Sequence, residues 1–288
     1  MGYAKKNFIF KVDYVQEALD YQTVKTRNGQ VGYCKTGNGQ PLILIVGYSG
    51  TLYHWNRHFI DELSQNFTVY LVDNRKIGLS ESKNEYSMQG MAQDVIDFID
   101  ELAIIKPILF GWSMGGIITQ SILKLRPNIA SGVVLLATVP HHNYTSPEFI
   151  QLLMNSEHLP ANEFRLQLYA MFFSAKPSEN LKELITGAAA EITDYHYRFN
   201  FEAKELQDYS VATWVGSDAA TLSNVTLPTL ILKARNDLVV SSDAAQFFAT
   251  YIPFSKLIEY PAGGHFFLHQ NPQEVARDVG NFFNSYQS

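Results

Sequence analysis

The sequence feature that most constrains the fold is a serine between two glycines, in Gly111-Trp112-Ser113-Met114-Gly115. An apolar run at 108–110 precedes it, as in a buried strand, and apolar residues at helical spacing follow it. Ser113 is therefore predicted to lie on a sharp strand-to-helix turn with a strained backbone. Side chains at 111 or 115 would collide with the neighbouring strand or helix, which accounts for the glycines. The serine hydroxyl then lies at the carboxyl edge of a sheet, beside the free N–H groups of a helix N-terminus.

Apolar runs alternate with amphipathic segments along most of the chain, and this alternation predicts a sheet covered by helices. Strands are predicted at 42–46, 67–72, 108–110, 132–137, 229–233 and 256–260. Helices are predicted at 55–63, 91–102, 243–251 and 272–283, and directly after Ser113. A hairpin around Asn28-Gly29 adds antiparallel strands at one edge. We therefore predict an α/β fold with a mostly parallel central sheet and helices on both faces.

The alternation breaks after Pro140. Residues 141–222 contain no convincing strand, and their apolar residues recur at helical spacing in 149–154, 164–173, 181–192, 199–206 and 211–215. This pattern predicts an inserted helical cap at 141–222. The core is then formed by residues 1–140 and 223–288. Aromatic residues of the cap are candidates for the pocket wall or for the core of the cap itself: Phe149, Tyr169, Phe172, Phe173 and Trp214.

Charge and cysteine content narrow the class of protein. The chain has 22 basic and 28 acidic residues, and its net charge of −6 argues against nucleic-acid binding. Cys34 is the single cysteine, which excludes a disulfide within the chain and a cysteine-based metal site. The pair His141-His142 is not accompanied by a third ligand at a useful spacing, so no metal is expected.

The cellular location is predicted from the membrane-spanning and targeting patterns that this sequence does not show. No apolar run approaches the length of a bilayer span, so no membrane association is expected. The basic N-terminus is not followed by the long apolar region of a signal peptide, and it does not match the myristoylation pattern. We therefore expect a cytoplasmic protein.

A serine hydroxyl needs a base within hydrogen-bond reach, and the base needs an orienting acid. In the predicted topology these partners follow in the order serine, acid, histidine, each at the end of a strand. Asp237 follows the strand at 229–233, and His265 follows the strand at 256–260 in a glycine-rich loop. The sequence therefore predicts Ser113, Asp237 and His265 as the catalytic residues. Weaker candidates for acid and base are Asp218, Asp243 and His269.

The negative charge that develops on a substrate carbonyl needs hydrogen-bond donors. The N–H of Met114, which follows the serine, is one predicted donor. The loop after the strand at 42–46 supplies the other, and we assign it to the N–H of Tyr48, with Ser49 as second choice. The predicted substrate-binding side chains are those of Trp112, Val239 and His141.

Taken together, these residues resemble the α/β-hydrolase superfamily over nearly the whole chain, from about Tyr21 to Phe283. The resemblance rests on Gly111-Trp112-Ser113-Met114-Gly115-Gly116, Gly47-Tyr48, Asp73-x-Arg75-x-x-Gly78-x-Ser80, Asp237 and Gly264-His265. Two positions depart from the family pattern: Val46 stands where a histidine is usual, and Lys76 where a glycine is usual. Because position 113 is a serine, the resemblance disfavours the dehalogenase and epoxide hydrolase branches, whose nucleophile is an aspartate.

The resemblance implies a serine hydrolase that cleaves a small carboxylic ester, lactone or thioester without a cofactor. It is nearest to small esterases, enol-lactonases, acyl-carrier methyl ester esterases and cofactor-free haloperoxidase-like proteins. Three alternatives stay open: a carbon–carbon bond hydrolase, a non-catalytic small-molecule receptor, and an aminopeptidase. The last would need a cap acid for the substrate amine, for which the candidates are Glu148, Glu157 and Glu163. The sequence predicts neither a particular substrate nor an oligomeric state.

Overall fold

A computed structural model describes residues 19–174 and 201–286. In these ranges one sheet contains nine strands: β1 (Tyr21–Thr26), β2 (Gly29–Thr36), β3 (Gln40–Ile45), β4 (Phe67–Val72), β5 (Glu81–Ser82), β6 (Ile108–Trp112), β7 (Gly132–Leu136), β8 (Thr229–Ala234) and β9 (Ser255–Tyr260). Their order across the sheet is β1-β2-β4-β3-β6-β7-β8-β9, and β5 pairs with β2. Neighbouring strands in the run β4-β3-β6-β7-β8-β9 are parallel. The pairs β1–β2, β2–β4 and β2–β5 are antiparallel. The predicted mostly parallel sheet is confirmed.

The predicted hairpin is present, but its turn lies one residue earlier than the Asn28-Gly29 pair. Thr26 pairs with Gly29, so the two central residues of the turn are Arg27 and Asn28. Gly29 is instead the first residue of β2, where an added Cβ would lie 2.0 Å from the carbonyl oxygen of Glu81. The glycine is therefore required by the close approach of β5 rather than by the turn.

Helices cover both faces of the sheet, as predicted. On one face lie α2 (Met88–Glu101), α3 (Met114–Leu125) and α8 (Ser242–Tyr251), and on the other lie α1 (Arg57–Leu63) and α10 (Pro272–Asn284). Alternate residues of β3 belong to the two cores, with Ile43 in the first and Leu44 in the second. Strands buried on both faces need apolar residues throughout, which explains their continuous apolar runs.

Two helix starts differ from the predicted ones because polar side chains cap them. The side chain of Asn56 accepts the N–H of Phe59 at 3.2 Å, so α1 begins at Arg57 rather than at 55. The hydroxyl of Ser87 accepts the N–H of Gly90 at 3.0 Å, so α2 begins at Met88 rather than at 91. Side-chain caps of this kind satisfy the first free N–H groups of a helix.

The described part of 141–222 contains helices and no strand. These are α4 (Pro147–Met154), α5 (Ala161–Phe172), α6 (Phe201–Ala212) and α7 (Ala219–Ser223). The helices predicted at 149–154 and 164–173 correspond to α4 and α5. A single helix, α6, covers the described part of the segment predicted at 199–206 and the start of 211–215, whereas the helix predicted at 181–192 lies outside the described residues. The last helix, α7, extends across the predicted boundary at 222, and Leu222 packs in the same core as Phe248.

Cys34 is fully buried in β2, and burial raises the pKa of its thiol to about 12, so the thiol stays protonated. None of the helices in the described ranges has both the length and the apolar character needed to cross a bilayer.

Candidate active site

Ser113 lies between β6 and α3 in a backbone conformation that non-glycine residues rarely adopt, with φ 54° and ψ −120°. Its N–H donates to the carbonyl oxygen of Leu136 at 2.9 Å. Its own carbonyl oxygen accepts from the N–H of Gly116 at 2.9 Å and from the hydroxyl of Thr138 at 2.7 Å. The neighbouring strand and the helix start thus hold the strained residue from both sides. The predicted strand-to-helix turn is present.

The two flanking glycines are needed for the reason predicted. A Cβ added at Gly111 would lie 2.5 Å from the carbonyl oxygen of Gly115, at the start of α3. A Cβ added at Gly115 would lie 2.0 Å from the carbonyl oxygen of Ile45, at the end of β3. Real Cβ atoms do not approach backbone this closely, so larger residues would force α3 away from the sheet.

His265 lies between Ser113 and Asp237 and reaches both. Its Nε2 is 3.0 Å from the Ser113 Oγ, and its Nδ1 is 2.9 Å from an Asp237 carboxylate oxygen. A carboxylate only accepts hydrogen bonds, so the proton of the neutral imidazole is assigned to Nδ1. Nε2 is then free to accept the serine proton. His265 is 2% exposed, which shields this chain of hydrogen bonds from water.

The carboxylate of Asp237 uses its two oxygens for different partners. One oxygen accepts the N–H groups of Val239 and Val240, at 2.8 and 3.0 Å, and the other faces His265. The backbone bonds form a local turn after β8, and they fix the orientation of the carboxylate. Asp237 therefore stabilises its loop and orients the histidine at the same time.

The weaker candidates occupy structural positions. Asp218 caps α7 by accepting the N–H of Thr221 at 2.8 Å. Asp243 lies in the first turn of α8, whose cap is Ser241. His269 lies in a short helix, α9 (Phe267–Gln270), which precedes the last helix, and is 5% exposed.

The loop predicted to bind the oxyanion lies against the serine. A Cβ added at Gly47 would lie 3.1 Å from the Ser113 Cβ, so the loop approaches the serine closely. The N–H of Ser49 donates to the Oε1 of Gln207 at 2.7 Å and is therefore already engaged. Of the two predicted choices in this loop, the engagement of Ser49 leaves Tyr48 as the better candidate. Met114 is the first residue of α3.

The three predicted substrate-binding residues have structural contacts of their own. Trp112 is 3% exposed, and its ring packs on those of Trp55 and Phe266, with centroids 5.4 and 4.9 Å away. Val239 is buried and donates its N–H to Asp237. His141, at the start of the insertion, accepts the N–H of Asn143 at 3.2 Å. Their contact with substrate stays a prediction.

The end of α5 contacts the loops that carry the acid and the base. The ring of Phe172 stacks on Phe266 at 4.3 Å and lies 5.6 Å from the ring of His265. The Phe172 carbonyl oxygen accepts the N–H of Phe266 at 2.8 Å, and the Ser174 hydroxyl donates to the carbonyl oxygen of Asn236. Three of the aromatic residues predicted to belong to a cap, Tyr169, Phe172 and Phe173, pack against Phe266, which places them beside the histidine loop.

Helix α6 contacts the other side of the site, and sequence reasoning missed its residues. Gln207 bonds Ser49, and the neighbouring Asp208 accepts the hydroxyl of Tyr48. Burial and this carboxylate raise the pKa of Tyr48, which keeps its hydroxyl protonated. Lys76, which departs from the family pattern, has φ 59° and pairs with Glu202 at 2.6 Å. Nothing in the sequence around Gln207 indicates a contact with the Tyr48-Ser49 loop, which is distant in the chain.

No three histidine, cysteine, aspartate or glutamate side chains lie close enough to hold a metal ion within 19–174 and 201–286. The arrangement of Ser113, His265 and Asp237 offers a nucleophile, a base and an orienting acid in one chain of hydrogen bonds. It is therefore suited to chemistry that needs a covalent intermediate on the serine.

Comparisons with known proteins agree with this picture of the fold. The family model described as the alpha/beta hydrolase family matches residues 42–278. BpoC, a candidate non-heme bromoperoxidase of Mycobacterium tuberculosis, is 23% identical over 283 residues, covering 90% of this chain and 99% of its own. A variant of the meta-cleavage product hydrolase CumD of Pseudomonas fluorescens IP01 has a TM-score of 0.77 at 20% identity, over 93% of this chain and 98% of its own. The esterase RhEst1 of Rhodococcus sp. ECU1013 has a TM-score of 0.76 at 18% identity, over 92% and 98%.

Proposed function

The chain belongs to the alpha/beta hydrolase family, and we propose that it is a serine hydrolase for a small carboxylic ester, lactone or thioester. Its similarity to known hydrolases supports the hydrolase class. The observation that carries the proposal is the hydrogen-bonded chain from Asp237 through His265 to the hydroxyl of Ser113. Its distances of 2.9 and 3.0 Å suit proton transfer from a serine to an imidazole.

In the acylation step, His265 Nε2 takes the hydroxyl proton while the Ser113 Oγ attacks the substrate carbonyl carbon. The carbonyl electron pair moves onto the oxygen, and the Tyr48 and Met114 N–H groups stabilise that oxyanion. Asp237 stabilises the imidazolium and keeps its ring oriented. The tetrahedral intermediate then expels the alcohol or thiol, which takes the proton from His265 and leaves an acyl group on Ser113.

In the deacylation step, a water molecule replaces the alcohol. His265 Nε2 takes a proton from this water as its oxygen attacks the acyl carbonyl, and the same donors stabilise the second oxyanion. Collapse of this intermediate returns the proton to Ser113 and releases the carboxylic acid. Atoms balance as ester plus water giving acid plus alcohol.

The proposal of ester chemistry rests on the serine with its base and orienting acid, and the same fold occurs in the esterase RhEst1. The same fold also occurs in CumD, a meta-cleavage product hydrolase, with a similar TM-score, and a carbon–carbon bond hydrolase is kept as the second candidate. A common fold does not distinguish these reactions, so the choice depends on substrate tests.

Hydrolysis of p-nitrophenyl esters with acyl chains of increasing length tests the proposal. We expect turnover by the wild-type protein and a loss of at least about 10³-fold in Ser113→Ala, because the nucleophile is removed while the small alanine leaves the packing intact. Circular dichroism and melting temperature serve as controls for folding. If folded Ser113→Ala kept the wild-type rate, the assignment of the nucleophile would be wrong. No ester turnover, together with cleavage of a carbon–carbon bond next to the carbonyl of a diketone, would instead favour the carbon–carbon hydrolase.

A further inference from the structure

The loop beside the reacting serine contains a strained turn. The N–H of Gly50 donates to the carbonyl oxygen of Gly47 at 3.1 Å, which closes a four-residue turn. Ser49, its third residue, has a φ of 54°. This angle at the third position is typical of a type II turn, where glycine is the usual residue because it has no Cβ. A serine there favours a flip of the peptide between Tyr48 and Ser49, which would give a turn with negative φ.

Helix α6 opposes that flip through Gln207. The Gln207 side chain is fully buried, and its Oε1 accepts the N–H of Ser49 at 2.7 Å. A flipped peptide would turn the carbonyl oxygen of Tyr48 toward this acceptor and would lose the hydrogen bond. Two acceptors facing each other in a buried place are unfavourable. Gln207 therefore selects the strained form of the turn.

A second contact fixes the same loop. Asp208, the next residue of α6, accepts the hydroxyl of Tyr48, and it also pairs with Lys204 at 2.7 Å. Two consecutive helix residues thus bind two consecutive loop residues, one through its backbone and one through its side chain. On the other side the loop lies against Ser113, where Gly47 approaches the serine Cβ. Tyr48 is held between the serine turn and α6.

We propose that Gln207 is a positioning residue: by holding the Tyr48–Ser49 peptide it keeps the Tyr48 N–H in place for the oxyanion, so that a helix of the insertion controls the reactivity of the core. The inference rests on the proposed function, since it needs an oxyanion on the substrate. Donors of an oxyanion site must lie within a fraction of an ångström of their productive position. A flip of the Tyr48–Ser49 peptide, next to the peptide that carries the Tyr48 N–H, is therefore enough to weaken catalysis.

Gln207→Leu tests this with the full-length protein and p-nitrophenyl acetate. Leucine has a similar volume but no acceptor, and we expect kcat to fall by about 10- to 100-fold while KM changes by less than about threefold, because the donor acts mainly in the transition state. Gln207→Glu keeps an acceptor oxygen for Ser49 and is expected to regain most of the lost kcat. Should the leucine variant fail to fold, Gln207→Asn, which moves the amide out of reach, is expected to show the same loss of kcat.

The matched control is Ser210→Ala on the same helix. The buried Ser210 hydroxyl lies 2.7 Å from the carbonyl oxygen of Leu206 in the same helix and 3.1 Å from that of Tyr86, so this variant loses polar contacts of α6 that do not involve the Tyr48 loop. Its kcat is expected to stay within about twofold of wild type. An equal loss of kcat in Ser210→Ala and Gln207→Leu would show a general effect of packing and would overturn the inference.

Ser49→Gly in the Gln207→Leu background provides a second readout. Glycine adopts the positive φ without strain, so the turn no longer needs Gln207, and part of the lost kcat should return. No recovery, or an unchanged kcat in folded Gln207→Leu, would overturn the positioning role. Failure of the proposed function looks different, because the wild-type protein itself would then not hydrolyse the ester.

Discussion

At the scale of single residues, Asp237 carries two tasks that sequence reasoning treats as alternatives. An aspartate in a loop is usually an acceptor for nearby backbone N–H groups, and Asp237 does accept those of Val239 and Val240. Its second oxygen nevertheless reaches His265 at 2.9 Å. The local turn aims the carboxylate, so the structural task supports the proposed catalytic one.

Buried histidines are the residues expected to link stability to pH. Burial lowers the pKa of His54 to about 4 and that of His269 to about 3. Both stay neutral in the folded protein, whereas in the unfolded chain they take up protons below about pH 6.5. The unfolded state binds more protons in this range, so their contribution to stability is present above about pH 6.5 and is lost as the pH falls. Burial raises the pKa of Asp73 to about 7, which acts in the opposite direction.

His269→Gln tests the contribution of His269 and of its interaction with His54, while Asp73 with its opposing effect is present in both proteins. His269 packs beside Trp112 and Phe266, with ring centroids 5.7 and 5.4 Å away, so at pH 7.5 the variant should be less stable than wild type. At pH 5 wild type alone bears the cost of keeping His269 neutral, and the gap should shrink by about 2 kcal/mol. Urea unfolding at the two pH values measures the gap. A gap that stays constant would contradict a neutral buried His269.

At the scale of helices and strands, the predicted bounds agree with the structure where burial alone decides which residues are apolar. β4 lies where it was predicted, because all six of its residues are buried and must be apolar. The predicted bounds agree less well where a single polar side chain sets a boundary, as Asn56 and Ser87 do for α1 and α2. The two-residue strand β5 was missed, since it depends on pairing with Gly29 and Gln30 rather than on a pattern of its own.

Two glycines in helices provide a matched test of the packing between α3 and the sheet. Gly115→Ala would place a Cβ 2.0 Å from the carbonyl oxygen of Ile45, whereas a Cβ at Gly280 in α10 meets no atom within 4 Å. We expect Gly115→Ala to destabilise the protein by at least about 3 kcal/mol, if it folds at all. Gly280→Ala should stabilise it by about 0.5–1 kcal/mol, because alanine favours a helix. Thermal unfolding compares the two, and similar melting temperatures would contradict the close approach of α3 to β3.

At the scale of the whole molecule, the candidate site is assembled from loops that follow four strands of one sheet. Parallel strands end at the same edge, which is why Ser113, Asp237 and His265 could be predicted from their order after β6, β8 and β9. The contacts of the insertion could not be predicted in this way. Gln207 with Ser49 and Phe172 with Phe266 join residues far apart in sequence, and their pairing depends on how α5 and α6 pack on the core.

In this arrangement the insertion predicted at 141–222 contacts the loops of the candidate site directly. The end of α5 contacts the loops of the acid and the base, and α6 contacts the loop proposed to bind the oxyanion. We therefore expect substitutions in this predicted insertion to affect reactivity as well as substrate choice. The sequence alone predicts the candidate residues of the core, and the packing of the predicted insertion adds the contacts from which the positioning role of Gln207 is proposed.

The most direct test of the central claim is covalent labelling of Ser113 by a fluorophosphonate probe, followed by intact-mass and peptide mass spectrometry. The phosphorus is attacked by the same activated oxygen, and fluoride leaves, so labelling reports the nucleophile without knowledge of the substrate. We predict one adduct per chain on Ser113, none in Ser113→Ala, and a labelling rate lowered by about 10³-fold or more in Asp237→Asn, where the histidine loses its orienting carboxylate. An unlabelled wild-type protein, or an adduct at another residue, would contradict the account.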